Sequence, residues 1–250
     1  MKDRNIQNLT SIWLLTGKAF NAQQTISGFE TVNIPFSEWP NRIWDQQQAM
    51  CSDKSHIVKE IIQKINPSMA FTEWKELDEN DSADAYGLKL KNEQIGMSLC
   101  LKDYIIQQTD GSSVDFIRIT DKTNAKQWSD LFLQSFGYLI PDEVIYGIKD
   151  QVEFYNLEYE KHLVGTVMIY KLDNSIGIHS LGIITEFRKK GLAEKVMNAV
   201  LIKAQKENLD YVHLQSSPMG INLYKKLGFK ELFKMYNYID SINISGQKSR

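Results

Sequence analysis

The chain has 250 residues, enough for one large or two small domains, and its composition is that of an ordinary globular protein. It carries 29 basic and 31 acidic residues, a formal net charge of −2, which provides no overall positive field for nucleic acid or an anionic membrane surface. No stretch is apolar for long enough to cross a bilayer, and the N-terminus lacks the pattern of a secretory signal. We therefore expect a cytoplasmic protein with neither a nucleic-acid partner nor a membrane partner.

The two cysteines, Cys51 and Cys100, lie far apart in the sequence and show no Cys-x-x-Cys spacing. This pattern argues against a disulfide framework and against a cysteine metal site. We expect buried thiols and no bound metal.

The first half of the chain mixes helical and strand patterns. The expected elements are a helix over 9–20, an irregular aromatic segment over 34–44, a helix over 57–65, and strands over 69–77, 85–91 and 94–102. The last two strands are predicted to form a hairpin around Asn92-Glu93. The aromatic residues of 36–44 are typical of core packing, and the alternative is that they line a binding pocket.

A domain boundary is predicted at the polar stretch that ends in Asp110-Gly-Ser-Ser113. It gives an N-terminal α/β region over 1–113, a second domain over 114–240 and a polar tail over 241–250. Residues 87–102 resemble 155–170, since both have a polar turn and a glycine that opens a second strand. No basic loop follows the first copy.

The second half has a regular order of elements. They are a strand over 114–119, a helix over 124–136 capped by Thr120-Asp121, a short helix opened by Pro141, a hairpin over 152–172, a strand over 176–184, a helix over 192–204, a strand over 211–216, a helix begun by Ser217-Pro218 and ended by Gly228, and final strands over 229–239.

Between the strand at 176–184 and the next helix lies the basic sequence Arg188-Lys-Lys-Gly-Leu-Ala193. Unpaired amides at the helix start, the helix dipole and the absent side chain of Gly191 favour an anion, and a pyrophosphate fits better than a neutral ligand. A short motif of this kind also occurs by chance, so a basic surface helix is the alternative.

Two motifs in this order of elements resemble those of the GNAT superfamily of acyl-CoA N-acyltransferases. Leu181-Gly-Ile183 followed by Arg188-Lys-Lys-Gly-Leu-Ala193 looks like the family's coenzyme A pyrophosphate motif, and Leu223-Tyr-Lys-Lys-Leu-Gly-Phe229 looks like its second signature. The resemblance implies an α/β (α+β) GNAT fold, a mixed central sheet with flanking helices, preceded by a smaller α/β region. The N-terminal half is expected to be a degenerate GNAT-like half.

The resemblance also implies roles for individual residues. The strand residues Leu181, Gly182 and Ile183 would bind the pantetheine arm, with Leu181 and Ile183 offering backbone groups and one amide polarising the thioester carbonyl. The pyrophosphate of acetyl-CoA would bind at the loop and helix start, formed by Arg188, Lys189, Lys190, Gly191, Leu192 and Ala193. Tyr224 would protonate the departing thiolate, and His179 resembles in position a histidine that relays a proton in arylalkylamine acetyltransferases.

The sequence departs from the family pattern at two positions. Thr185 stands where proline is common, and Ser217 stands where asparagine often contacts the pantetheine arm, so Ser217 is either a cofactor contact or a helix cap. Tyr224 packed on the sheet and His179 as a polar strand residue are the structural alternatives. His213 is a weaker candidate base, while Glu158 and Glu160 are candidates for orienting an amine.

The expected activity is direct transfer of an acetyl group from acetyl-CoA to a primary amine of a small molecule or peptide, without a metal. The N-terminal half would supply part of the acceptor pocket or the surface of a homodimer. The competing class is a catalytically silent acyl-CoA-binding or regulatory module. Nucleic-acid binding through residues 188–190 is disfavoured by the overall charge.

Overall fold

The computed structural model describes residues 1–45, 54–79, 84–105 and 113–240. Cys51 and the polar tail over 241–250 lie outside the described residues. The N-terminal region contains α1 (Lys2–Ala19), β1 (Gln23–Ile26), β2 (Phe29–Val32), β3 (Arg42–Asp45), α2 (Lys54–Ile65), β4 (Ala70–Lys75), β5 (Asp84–Ala85) and β6 (Leu88–Cys100). Helix α1 begins seven residues before the predicted start at Leu9 because its first turns bury the polar side chains of Asn5 and Asn8.

The second region follows the predicted order of elements closely. It contains β7 (Asp115–Arg118), α3 (Lys122–Phe136), α4 (Asp142–Ile148), β8 (Glu153–Tyr159), β9 (His162–Leu172), β10 (Ser175–Ile183), α5 (Leu192–Lys206), β11 (Tyr211–Ser216), α6 (Ile221–Lys226) and β12 (Lys230–Ile239). Asp121 caps α3 as expected, because its carboxylate accepts a hydrogen bond from the Asn124 amide at 2.8 Å.

One mixed sheet runs through both regions in the order β1-β2-β3-β4-β12-β6-β11-β10-β9-β8-β7, and β5 pairs with β6 at the side. Strand β6, from the first half of the chain, lies between β11 and β12, from the second half, and is antiparallel to both. The two halves therefore share the centre of a single sheet. The predicted boundary at residue 113 stays a prediction, since residues 106–112 lie outside the described part.

Helices cover both faces of this sheet. Helix α5 buries Val196, Val200 and Leu201 against one face, in a cluster that includes Ile176 and Ile178 of β10. Helices α1, α3 and α4 cover the opposite face, where the largest buried side chains include Trp13 and Trp128. Because side chains alternate along a strand, His179 lies on the α1 face while its neighbour Ile178 lies on the α5 face.

Two local predictions are wrong. Asn92-Glu93 forms no hairpin turn, because it lies inside the single strand β6, opposite Asn237 and Tyr236. The turn lies earlier, at Tyr86-Gly87, where both residues have the positive φ angles, 58° and 61°, that a tight hairpin needs. The likeness of residues 87–102 to 155–170 therefore does not correspond to two equivalent hairpins.

The last helix also begins later than predicted. Residues 218–220 form a turn, α6 starts at Ile221, and its N-cap is Gly220, with no side-chain cap. Ser217 does not cap the helix, because it stands three residues before Gly220. Among the residues described, no helix combines the length and the apolar character that crossing a membrane requires.

Candidate active site

Strands β10 and β11 separate in the middle of the sheet. They pair in parallel at only three positions, ending with Gly177 opposite His213, although both strands continue beyond this point. The edge of β10 that faces β11 is therefore left without a strand partner over residues 178–183. A free strand edge offers amide and carbonyl groups to an extended ligand, as a new strand would use them.

A β-bulge shapes the free part of β10. The register with β9 shifts between His179 and Gly182, and Ser180 has a φ of 53°. The Thr166 hydroxyl donates to the Ser180 carbonyl at 3.0 Å and holds the bulge in place. The bulge re-aims the following residues, so that Leu181 packs towards the α5 face and Gly182 lies beneath the ring of Phe136.

The basic loop after β10 presents a row of unpaired amides. Lys189 and Gly191 have φ angles of 63° and 75°, and the first helical hydrogen bond of α5 is donated by the Lys195 amide to the Gly191 carbonyl at 3.2 Å. None of the amides of 189–194 forms a hydrogen bond with any residue that the structure describes. Six consecutive free amides at a helix N-terminus could hold phosphate groups.

The three basic side chains of this loop differ in what they contact. Arg188 donates from Nε to the Ile183 carbonyl at 2.8 Å and from Nη2 to the Ser135 carbonyl at 3.1 Å. Its guanidinium therefore links the end of β10 to the end of α3. The Lys190 ammonium lies 4.6 Å from the centre of the Phe187 ring, and the Lys189 side chain is exposed. The expected positive charge is present, but the Arg188 guanidinium already donates hydrogen bonds to two backbone carbonyls of this chain.

Tyr224 lies on α6, half-buried beside the same cluster as α5, with its ring 5.8 Å from that of Phe229. Its hydroxyl forms no hydrogen bond with a described residue, so the alternative of a hydroxyl bonded to backbone finds no support. Burial raises the pKa of Tyr224 to about 12, which keeps the phenol protonated near neutral pH. It is an available proton donor.

Ser217 is exposed in the turn that precedes α6. Its carbonyl accepts from the Ser216 hydroxyl at 2.8 Å and from the Gly220 amide at 3.0 Å. Since its own hydroxyl does not cap the helix, the structure leaves it free for a ligand that follows the end of β11.

His179 is held by α1. The Asn8 amide group donates to the Tyr170 carbonyl at 3.1 Å, so the Asn8 carbonyl oxygen faces His179 Nε2 at 3.0 Å and accepts a hydrogen bond from the Nε2–H group. Nδ1 is then the ring nitrogen with a lone pair, and the Gln215 side chain also hydrogen-bonds to the imidazole, which opposes the lowering of its pKa. Burial is the main cause that lowers the pKa of His179 to about 4, so the imidazole is neutral at physiological pH.

The other candidate side chains are arranged differently. His213 is fully buried, its Nδ1 lies 2.7 Å from the Ser98 hydroxyl, and burial lowers its pKa to about 4, so we assign it a structural role. Glu158 is half-buried on β8, and Glu160 is exposed in the turn between β8 and β9. Within the described residues no group of three or more metal-ligating side chains is assembled.

The asparagines of α1 were not predicted as functional residues. Asn5 and Asn8 are fully buried, and Asn5 donates to the Met97 carbonyl at 2.8 Å and accepts from the Gln215 side chain at 2.6 Å. Two asparagines on the helix face that also carries Leu9 and Ile12 were a signal that this face meets polar groups.

The split between the parallel strands β10 and β11, followed by a row of free amides at the start of α5, is the arrangement that the resemblance to acyl-CoA N-acyltransferases implies. Residues 114–229 match the family described as Acetyltransferase (GNAT) family, and this part of the chain is a GNAT domain. No curated protein matches the sequence.

Solved structures resemble the chain over most of its length. A GCN5-related N-acetyltransferase from Kribbella flavida has a TM-score of 0.65 and 10% identity, covering 95% of this chain and 96% of its own. A functionally unknown protein from Staphylococcus epidermidis has a TM-score of 0.62 and 14% identity, and the match covers 87% of this chain and 92% of that protein. A GCN5-related N-acetyltransferase from Sphaerobacter thermophilus has a TM-score of 0.61 and 12% identity, and the match covers 84% of this chain and 76% of that protein. The GNAT-like fold therefore extends into the N-terminal half, as the resemblance implied.

Proposed function

We propose that the protein is an acyl-CoA-dependent N-acyltransferase that moves an acetyl group from acetyl-CoA directly to the primary amine of a small molecule or peptide. The observation that carries this proposal is the combination of three features in the same domain. These are the free amides of 189–194, the open edge of β10 and the unbonded hydroxyl of Tyr224. They fit, in turn, a pyrophosphate, an extended amide-bearing arm and a leaving thiolate.

The donor site uses mainly backbone groups. The amides of 189–194 bind the pyrophosphate oxygens, with the side chains of Lys189 and Lys190 adding positive charge. The free edge of Leu181–Ile183 pairs with the pantetheine arm, and one of its amides points at the thioester carbonyl oxygen. Because that amide is fixed by the bulge at Ser180, it stabilises the oxyanion without reorganising.

Transfer forms a bond between the amine nitrogen and the thioester carbon and breaks the bond from carbon to sulfur. In the proposed mechanism the neutral His179 accepts the amine proton at Nδ1, since Nε2 donates to Asn8. The Tyr224 hydroxyl donates to the sulfur as the thiolate leaves. The low pKa of His179 makes it a weak base, so it acts on amines that reach the site unprotonated.

The test is Tyr224→Phe, assayed by thiol release from acetyl-CoA with a panel of amines. The substitution removes a hydroxyl that has no described partner, so folding and protection by acetyl-CoA should be unchanged while the rate falls about 100-fold. Tyr146→Phe on α4, at the surface, is the matched control. An unchanged rate in Tyr224→Phe would remove Tyr224 from the mechanism, and acetyl-CoA binding without transfer to any amine would favour the silent binding module.

A further inference from the structure

Gln215 lies directly across the split from His179. The last pair in the parallel register of β10 and β11 is Gly177 with His213. Since side chains alternate along a strand, the next position on the same face is His179 on β10 and Gln215 on β11. Both side chains are half-buried, and both bond to side chains of α1. They therefore face each other at the point where the two strands separate.

Asn5 of α1 fixes which end of the Gln215 amide faces the histidine. The Asn5 amide nitrogen donates to the Met97 carbonyl at 2.8 Å and to the Ser98 hydroxyl at 3.2 Å. Its carbonyl oxygen is therefore directed to Gln215, and Gln215 Nε2 donates to this oxygen at 2.6 Å. The end of Gln215 that bonds to the imidazole is then its carbonyl oxygen. This contact raises the pKa of His179, as a hydrogen-bond acceptor does.

The imidazole of His179 thus meets two amide oxygens. Asn8 Oδ1 faces Nε2 at 3.0 Å, and the Gln215 oxygen bonds to the ring from across the split. A neutral imidazole has one N–H group, and Asn8 accepts the hydrogen bond from it. The second oxygen receives a full hydrogen bond only from the imidazolium, which has N–H groups on both ring nitrogens. The arrangement therefore stabilises the protonated ring more than the neutral ring.

The acceptors that bond to His179 are neutral. On β11, His213 acts to lower the pKa of His179, but it is itself neutral because burial lowers its own pKa to about 4. The positive groups of α1, Arg4 and the N-terminus, act on His213. From β9, the Tyr170 backbone carbonyl holds Asn8. No carboxylate of the described chain bonds to the imidazole, so the amide oxygens are what stabilises a positive charge on the ring.

We propose that Gln215 is a positioning residue whose side-chain carbonyl, oriented by Asn5, stabilises the imidazolium that forms when His179 takes the amine proton. As the amine nitrogen attacks the thioester carbon, its N–H bond breaks, the electron pair stays on nitrogen and the proton passes to Nδ1. The positive ring then donates to Asn8 from Nε2 and to Gln215 from Nδ1, until the proton returns to solvent. The inference rests on the proposed transferase function and adds a residue to its machinery.

The first test places a carboxylate where the amide oxygen lies. In Gln215→Glu a negative charge faces the imidazole, so the pKa of His179 should rise by about 1–3 pH units. Gln94→Glu is the matched control, because Gln94 is half-buried on the same face of the neighbouring strand β6. It adds the same charge farther from His179 and should raise the pKa much less. Nitrogen NMR of histidine-labelled protein measures both titrations, and His179→Gln identifies the resonance.

The second test removes the acceptor. In Gln215→Leu the kcat/KM for thiol release at neutral pH should fall about 10- to 100-fold, as the loss of one hydrogen bond to a charged group predicts. In Gln215→Glu the acid limb of the pH–rate profile should move to higher pH, because a base with a raised pKa stays protonated up to a higher pH. Gln94→Leu should leave rate and profile close to those of the wild type. A merely structural role of Gln215 would lower the rate without moving the acid limb.

The NMR titration separates the inference from the transferase function, because it needs no turnover. A larger rise of the His179 pKa in Gln215→Glu than in Gln94→Glu supports the stabilised imidazolium, even when no amine releases thiol and the transferase proposal fails. Equal rises in these two variants, or an unchanged rate in Gln215→Leu when the wild type is active, would overturn the inference and leave the transferase proposal standing. Circular dichroism and acetyl-CoA protection verify folding, and Gln215→Met replaces Gln215→Leu where the latter does not fold.

Discussion

Gly191 offers a way to separate ligand binding from folding at the proposed pyrophosphate site. It is the N-cap of α5, with a φ of 75°, and an added Cβ would meet no atom of the described chain within 4 Å. Gly191→Ala therefore causes no clash inside the protein. It places a left-handed backbone on a residue with a side chain, which costs about 1 kcal/mol of folding free energy.

The same methyl group stands beside the free amides of 189–194 and would hold a phosphate away from them. Losing one charge-assisted hydrogen bond costs about 1.5–3 kcal/mol, which corresponds to a rise of about 10- to 150-fold in the Kd of acetyl-CoA. Gly28→Ala is the matched control, because Gly28 has a φ of 85° in the turn between β1 and β2 and also has open space around it.

Both variants should show a similar loss of stability in urea unfolding without ligand. Only Gly191→Ala should lose the shift in melting temperature that acetyl-CoA produces, as measured at a series of acetyl-CoA concentrations. Unchanged acetyl-CoA affinity in Gly191→Ala would refute the assignment of this helix start to the pyrophosphate.

Three further predictions follow from the contacts between the two halves. Burial lowers the pKa values of His179 and His213 to about 4, so the unfolded chain binds more protons than the folded chain between pH 6.5 and 4. The free energy of unfolding should therefore be highest above pH 6.5 and decrease as the pH falls below 6.5, by about 1–3 kcal/mol per histidine. Urea unfolding at pH 7.5 and at pH 5 measures this difference. A pH-independent midpoint would contradict this. Asn8→Leu should destabilise the protein by about 1–3 kcal/mol, because it leaves a buried carbonyl and the His179 ring unpaired, and an unchanged unfolding midpoint would argue against the contact. Residues 114–240 expressed alone should fail to fold cooperatively, since β11 and β12 lose strand β6, and adding residues 1–113 in trans should restore a cooperative thermal transition; a stable isolated fragment would show that β6 is dispensable.

The elements that local sequence patterns specify were predicted well. The apolar alternation of β10, the periodic face of α5 and the glycine at its start are encoded within about 30 consecutive residues, and the structure contains them where they were expected. A bulge and a split in the sheet leave backbone groups free at Leu181–Ile183, where the resemblance implied groups that bind the pantetheine arm. These features could be predicted because residue propensity and hydrophobic periodicity are also properties of short, continuous segments.

The features that were missed depend on residues far apart in the chain. Asn8 and His179 are 171 positions apart, and β6 reaches its neighbours β11 and β12 across more than 100 residues. No periodicity within one segment encodes such a pairing. A β-bulge of β6 at Lys91 was hidden for a related reason, since the hydrophobic alternation breaks there and was assigned to a turn, whereas its cause is the register with β12.

The two halves of the chain contribute different groups to the proposed active site. The groups proposed to bind and activate the acetyl donor, the amides of 189–194 and Tyr224, all belong to the second half. The asparagine that orients His179, Asn8, belongs to the first half. Since β6 lies between β11 and β12, the first half cannot move away without breaking the strand pairing on both sides of β6.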